Sequence, residues 1–195
     1  MHAETVLALV EAHLRTHLGA DSGRAAVDFV GAERVEVLRF GPDPRGLVRY
    51  VTLGLSRAPM SSETGYDVAA TGPRAELLLT VGGLVDSVSR RLAVLASAPA
   101  AEGLVLAPGA GVDLQEPLWE GARFTAVLLG EPGADVPDLA LPGEELPVRV
   151  LPLHPMTPNE AAWKRVHGGP ALEERWLTSG LDLRDPGRSE VDLTV

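Results

Sequence analysis

The stretch that decides the fold is Leu151–Gly169, "LPLHPMTPNEAAWKRVHGG", where a proline-rich run meets a run with helical spacing. Thr157 is placed to cap a helix, Pro158 suits its first turn, and Glu160 completes a capping box. The two closing glycines are typical of a helix end. The stretch therefore predicts a strand that leads into a helix from Asn159 onward. It does not predict the entrance of an active site.

A second short helix is predicted directly after those glycines, from Ala171 to Leu177 and before Gly180. Its residues Leu172 and Trp176 are four apart and so share one helix face. With Trp163 in the preceding helix, Trp176 makes a pair of large apolar side chains. Such a pair is more typical of packing anchors than of a ligand site.

The rest of the chain alternates helices with clusters of short strands. Amphipathic spacing predicts helices at Glu4–Leu18 and Leu84–Ala98, the second ended by Pro99. Gly41–Gly46 predicts a hairpin loop. Strands are predicted at residues 26–30, 34–40, 47–55, 74–81, 123–129 and 146–153. This order predicts an α+β fold, a single domain over residues 1–195 (core about 26–183) with a mostly antiparallel or mixed sheet packed by helices.

Composition narrows the classes of function. The 195 residues carry a net charge of −10 with no dense basic block, which argues against binding to a phosphate backbone. There is no cysteine, so disulfides, zinc ribbons and thiol nucleophiles are excluded. No basic leader and no apolar run of about 18 residues is present, and we therefore expect a cytoplasmic protein outside the membrane.

One short motif raises the possibility of enzymatic chemistry. Gly54–Ala58, "GLSRA", is one residue short of the nucleophile elbow that presents the serine of hydrolases. An elbow needs a helix after its serine, whereas Pro59 and a polar loop follow Ser56. A serine at the end of a strand is the favoured interpretation, and a small hydrolase that uses Ser56 remains the alternative.

Two further patterns are compatible with a bound ion but lack supporting residues. His13 and His17 could share a helix face and bind a metal, yet no third ligand is identifiable. Gly82 and Gly83 could cradle a phosphate, but neither established glycine-rich motif is present. The sequence therefore predicts no catalytic residue, no metal ligand and no cofactor.

The segment from Ser56 to Pro73 is the longest one without periodicity, which in compact domains often indicates a binding loop. Arginine, methionine and aromatic side chains are enriched at the centres of protein interfaces. On that basis the candidate partner-binding residues are Arg57, Met60, Tyr66 and Asp67.

The order of several short motifs gives a resemblance to a known family. "VRYVTLGLS" at 48–56 contains Thr-x-Gly-hydrophobic-Ser, and "PRAELLLTV" at 73–81 contains Glu-Leu-x-Leu. The closing elements are Pro152-Leu153, Glu160, Trp163-Lys164, Gly168, Leu172, Glu174-Arg175, Gly180, Asp185-Pro186 and Arg188. Together, from residue 47 to the carboxyl terminus, they resemble bacterial suppressor-of-fused (SUFU) domains. Residues 60–71 and 98–111 match nothing in that pattern.

The resemblance implies a non-enzymatic protein-binding module. Related animal domains clasp an extended peptide against a sheet edge, and bacterial ones resemble immunity proteins that neutralise a cognate toxin. The expected partner is therefore a protein, bound through an acidic surface or an exposed strand edge. A regulatory or structural subunit of an unrelated complex remains a further alternative.

Overall fold

The structure, a computed structural model, describes residues 2–28, 33–62, 72–143 and 146–194. Its helices are α1 (Ala3–Leu18), α2 (Val88–Glu102), α3 (Pro158–His167) and α4 (Gly169–Ser179). Its strands are β1 (Gly23–Val27), β2 (Val35–Phe40), β3 (Leu47–Leu53), β4 (Arg74–Gly82), β5 (Gly111–Asp113), β6 (Ala126–Leu129) and β7 (Val148–Met156). A 3-10 helix, Leu55–Arg57, follows β3.

The seven strands form one sheet in the order β1-β2-β3-β4-β7-β6-β5. Every neighbouring pair is antiparallel except β4 and β7, which run parallel. The predicted α+β fold with a mostly antiparallel, mixed sheet is therefore confirmed. The predicted hairpin at Gly41–Gly46 is also confirmed, because it joins the antiparallel strands β2 and β3.

Helices cover both faces of the sheet. Since adjacent strand residues point to opposite faces, neighbouring apolar residues of one strand pack against different helices. Leu77 packs in the cluster that holds the apolar residues of α2. Its neighbour Leu78 packs on the other face, in the cluster formed with α1. Helices α3 and α4 pack against β6 and the end of β7 through Leu172 and Trp176.

The predicted start and end of α3 are confirmed. The Thr157 hydroxyl accepts a hydrogen bond from the Glu160 N–H at 3.2 Å, and the Thr157 N–H donates to the Glu160 carboxylate at 2.9 Å. Pro158 stands in the first turn, and Gly168 ends the helix. Helix α4 also forms, and its extent, Gly169–Ser179, is longer than the predicted 171–177.

The predicted end of β7 at Leu153 is wrong, because the strand continues through Pro155 to Met156. Its pairing with β4 ends at Pro152, so Pro155 lies beyond the paired part of β4. A proline is tolerated where its missing N–H has no ladder partner. On the other side β7 remains paired with β6 up to Met156.

The predicted bounds of α2 are also wrong at both ends. The Val85 N–H donates to the Tyr50 hydroxyl at 2.8 Å, and that hydroxyl donates to Asp86 at 2.9 Å, which holds the segment before Val88 outside the helix. Pro99 lies inside the last turn and does not end the helix. It lacks the N–H that would donate to the Leu95 carbonyl, and only three residues of the helix follow it.

Several strand bounds differ from the prediction. β1 begins at Gly23, and residues 29–30 of the predicted strand lie outside the described residues. β3 ends at Leu53 and β6 begins at Ala126, while β5 was not predicted. Among the described residues, the helices are too short or too polar to cross a membrane.

Candidate functional site

A buried carboxylate, Glu76, holds β3 and β4 together where their backbone pairing stops. That pairing ends at Val51 and Leu78. Beyond it, the Thr52 hydroxyl accepts from the Leu77 N–H at 2.9 Å and donates to Glu76 Oε2 at 2.6 Å. Side chains thus replace the ladder hydrogen bonds that the diverging strands no longer make.

The other oxygen of Glu76 binds the turn that follows β3. Oε1 accepts from the Gly54 N–H at 2.9 Å, the Ser56 N–H at 3.0 Å and the Ser56 hydroxyl at 2.6 Å. Burial raises the pKa of Glu76 above its usual value, against the opposing effect of these hydrogen bonds. Residue 54 must be glycine, because its φ is +149° and an added Cβ would lie 3.1 Å from the Arg34 carbonyl oxygen.

This geometry does not support a hydrolase that uses Ser56. The side chain is 0% exposed, so a substrate cannot reach it, and its hydroxyl already donates to Glu76. Ser56 is the middle residue of a 3-10 helix of three residues, whereas an elbow needs an α-helix after its serine. The motif "TLGLS" therefore serves to close the end of the sheet.

Of the four candidate partner-binding residues, the structure describes two, Arg57 and Met60. Arg57 pairs with Glu4 of α1 at 2.6 Å. Met60 is 4% exposed, and its sulfur accepts from the Leu106 N–H at 3.4 Å, so its side chain belongs to the core. Tyr66 and Asp67 lie outside the described residues. Their role in partner binding stays a prediction.

The two possible ion sites have other roles. The Nε2 atom of His13 lies 2.7 Å from the Pro137 carbonyl oxygen, within hydrogen-bond distance. No group of three or more metal-ligating side chains occurs in the described part of the chain. The N–H groups of Gly82 and Gly83 donate to backbone carbonyls at 2.7 and 2.9 Å, which leaves neither for a phosphate.

A second buried cluster joins the carboxyl-terminal segment to α3 and α4. Glu160 and Arg188 form an ion pair with two contacts of 2.8 Å, and their side chains are 0% and 2% exposed. The Trp176 indole N–H donates to the same carboxylate at 3.1 Å, as does the Val191 N–H at 3.1 Å. The guanidinium also lies 4.8 Å from the ring centre of Phe124.

This cluster explains why Glu160 stays ionised inside the protein. Burial alone would raise its pKa, but the hydrogen bonds and charge of Arg188 lower the pKa below the usual value. The prediction that Trp176 is a packing anchor is confirmed, since the side chain is fully buried. Trp163 is half-buried and stacks on His167 at 4.0 Å.

Acid is expected to weaken folding through Glu160. Because its folded-state pKa lies below the ordinary 4.5, the folded protein takes up this proton less readily than the unfolded chain. The stabilisation is present above that value and is lost as the pH falls through the folded-state pKa. Urea unfolding between about pH 7 and about pH 3 measures the slope, which should be shallower in the double variant E160Q/R188M. Equal slopes in the two proteins would contradict the assignment.

The outer edge of β5 presents free backbone groups. The Leu114 N–H donates to the Thr125 carbonyl and the Leu129 N–H donates to the Ala110 carbonyl, so residues 110 and 114 bond inward to β6. Because inward and outward groups alternate along an antiparallel strand, Gly111 and Asp113 direct theirs outward. No described strand pairs with that side.

Negative charge is concentrated in the part of the sequence that contains β5, although Glu131 and Asp138 pair with Arg149 of β7 and Asp135 lies beside Arg49 of β3. The range 102–145 holds nine acidic residues and one basic residue, a net of −8 within the total of −10. Asp113, Glu116 and Glu120 are exposed in and directly after β5. Sequence reasoning missed this strand because it is three residues long within a glycine- and proline-rich connection, although the uneven charge was a usable signal.

Solved structures with the same fold come from suppressor of fused proteins. A protein described as a suppressor of fused homologue from Neisseria gonorrhoeae FA 1090 aligns with a TM-score of 0.75 at 18% identity, over 98% of this chain and 100% of its own. A Sufu-Fu complex aligns with a TM-score of 0.65 at 11% identity, over 96% of this chain and 91% of the other. Drosophila Suppressor of Fused gives 0.61 at 11% identity, over 95% of this chain and half of its own. At these identities the likeness concerns the fold.

Sequence comparison addresses membership of the family directly. No curated protein matches the chain. The pattern of the family described as Suppressor of fused protein (SUFU) matches residues 31–189, which include Glu76, Glu160 and Arg188. Since this match spans most of the 195 residues, the chain belongs to the suppressor of fused family.

Proposed function

We propose that this protein is a non-enzymatic protein-binding module, an immunity-type inhibitor that masks a cognate toxin in the bacterial cytoplasm. Membership of the suppressor of fused family supports protein binding, as does the likeness to a chain solved in a Sufu-Fu complex. The two buried carboxylates support a role without catalysis, because both are engaged in holding the fold.

The observation that carries the proposal is the open, acidic edge at β5. An extended segment of a partner can add a strand there by bonding to the outward groups of Gly111 and Asp113. The exposed carboxylates of Asp113 and Glu120, in and after β5, favour a basic partner and speed its encounter. A partner on this edge would be held by the backbone and selected by charge. Arg57, Tyr66 and Asp67 remain proposed contacts of the long loop, and Met60, whose side chain is buried, remains proposed only as a support of that loop.

Replacing Asp113 with proline is expected to weaken partner binding about tenfold relative to D113A. Both variants lose the carboxylate, but only proline removes the outward N–H, a hydrogen bond of about 1–1.5 kcal/mol. The inward ladder to β6 does not use that N–H. The partner is first isolated by co-purification from the native host, and calorimetry then gives Kd for wild type, D113P and D113A.

Equal affinities of D113P and D113A would exclude strand addition at β5 while leaving protein binding possible. Recovery of no stable partner, together with failure to protect cells from the toxin of the neighbouring gene, would contradict the immunity role itself. Circular dichroism of each variant shows whether the sheet is preserved.

A further inference from the structure

The residues of β5 that bond outward carry their side chains on the face of the sheet that α3 covers. Gly111 is paired with Leu128 of β6, which packs in the cluster that contains Ala161 of α3. Asp113 is paired with Ala126, a member of the same cluster. Paired residues of antiparallel strands point to the same face, so a strand added to this edge would place every second side chain beside α3.

The side chain of Lys164 in α3 lies over Gly111. A Cβ added at Gly111 would stand 3.0 Å from the Lys164 Nζ atom and 3.4 Å from its Cδ atom. The ammonium therefore takes the place of the missing side chain at the free edge of the sheet. The end of α3 is held close to β5, because a Cβ added at Gly169 would lie 3.2 Å from the Gly109 carbonyl oxygen.

Two opposite charges stand side by side along this edge. Lys164 is half-buried and has no counterion among the residues that the structure describes. The Asp113 carboxylate is exposed and accepts a hydrogen bond from the Gln115 N–H at 2.9 Å, and it forms no ion pair within the described part of the chain. The edge thus presents a cation over residue 111 and an anion at residue 113.

We propose that Lys164 selects the segment that binds the β5 edge, which carries an acidic residue opposite Gly111 and a basic residue opposite Asp113. The inference rests on the proposed strand addition at β5. In an antiparallel pair, the more stable and more frequent arrangement, these two residues are separated by one position, and the basic one comes first. The selected segment is therefore a protein strand of the pattern Lys/Arg-x-Asp/Glu.

The distances allow this contact. Directly opposite residues of an antiparallel pair have Cβ atoms about 4.5–5.5 Å apart. Since the Lys164 ammonium lies 3.0 Å from the Cβ position of Gly111, a carboxylate that extends from the opposite residue reaches it at ion-pair distance. A basic residue at that position would instead be repelled, so Lys164 restricts where the positive charges of a partner can lie.

The test uses the synthetic peptide TVKVEVT and the full-length protein at low salt. Lys164 is the only lysine, so reductive methylation with ¹³C-formaldehyde, which retains the charge, gives one lysine side-chain NMR signal. The peptide is expected to shift this signal and, in ¹⁵N-labelled protein, the amide signals of Gly111 and Asp113. The matched peptide TVKVQVT should bind about three- to fivefold more weakly and leave the Lys164 signal almost unchanged.

Variants assign the preference to single side chains. K164M keeps the stem over Gly111 without the charge and should bind both peptides equally. D113N should in the same way remove any preference for TVKVEVT over TVQVEVT. The matched control R165A removes the neighbouring cation, whose Nε atom donates to the Ala161 carbonyl at 3.3 Å, and should keep the preference of wild type for glutamate.

The outcomes separate this inference from the strand addition on which it rests. If no peptide shifts the amide signals of Gly111 and Asp113, strand addition at β5 is wrong and the selection by Lys164 with it. If those signals shift but wild type binds TVKVEVT and TVKVQVT equally, strand addition stands and the role of Lys164 is wrong. A glutamate preference that persists in K164M would also overturn the inference, as would an equal loss of preference in R165A.

Discussion

Replacing Arg188 with methionine is expected to lower the free energy of unfolding by about 3–5 kcal/mol at neutral pH. Methionine keeps much of the packing against Phe124 and Trp176, but it leaves Glu160 charged and buried without its counterion. Urea unfolding followed by tryptophan fluorescence measures the loss. The control R149M breaks the ion pair with the largely exposed Glu131 and should cost under about 1 kcal/mol.

The double variant E160Q/R188M shows whether the uncompensated charge is the cause. Since neither group is then charged, it should recover a large part of the loss of R188M. In R188M itself, burial without the arginine raises the pKa of Glu160, so the deficit against wild type should be smaller near about pH 5 than near about pH 7. A double variant as unstable as R188M, with a deficit independent of pH, would show that packing dominates.

Local signals predicted the parts of the fold that local physics determines. The capping box at Thr157 and Glu160 and the glycine at 168 fix both ends of α3 within a few residues, so sequence alone identified them. α2 was misplaced because its start depends on Tyr50, which lies more than 30 residues earlier and holds Asp86 by a hydrogen bond. No local pattern contains that contact.

The continuation of β7 through Pro155 depends on its neighbours in the sheet. Pro155 is tolerated because pairing with β4 has ended at Pro152, a fact of register that the sequence does not express. β5 escaped prediction for the same reason, since three residues become a strand only when β6 lies beside them.

At the candidate sites, too, the sequence indicated some of the residues but not the contacts that they make. Family resemblance marked Ser56, Glu160 and Arg188, but their roles rest on contacts 20 to 28 residues apart in sequence. The choice of Met60 from its residue type ignored burial, which places its side chain in the core. Interface preferences alone cannot distinguish an exposed methionine from a buried one.

Glu76→Ala is expected to cost about 3–5 kcal/mol, enough to unfold much of a marginally stable domain. Alanine removes the acceptor of four buried donors, the hydroxyls of Thr52 and Ser56 and the N–H groups of Gly54 and Ser56. The diverging ends of β3 and β4 then have no bridge, so the loss combines unsatisfied donors with an opened sheet end. Denaturant unfolding measures the cost, and hydrogen exchange at residues 52–56 should show local opening.

Glu76→Gln separates the negative charge of the side chain from its size and its capacity to form hydrogen bonds. Its carbonyl can accept at the Oε1 position from the Gly54 and Ser56 groups, while its amide can donate to Thr52 once that hydroxyl turns, so we expect a loss of about 1–2 kcal/mol. Glu131→Ala removes an exposed glutamate and controls for charge. If E76Q were as unstable as E76A, the negative charge itself would be needed. If both variants had a free energy of unfolding near that of wild type, the stability of the motif "TLGLS" would not depend on Glu76. The presence of this carboxylate at the end of the sheet would then require another explanation, such as partner binding.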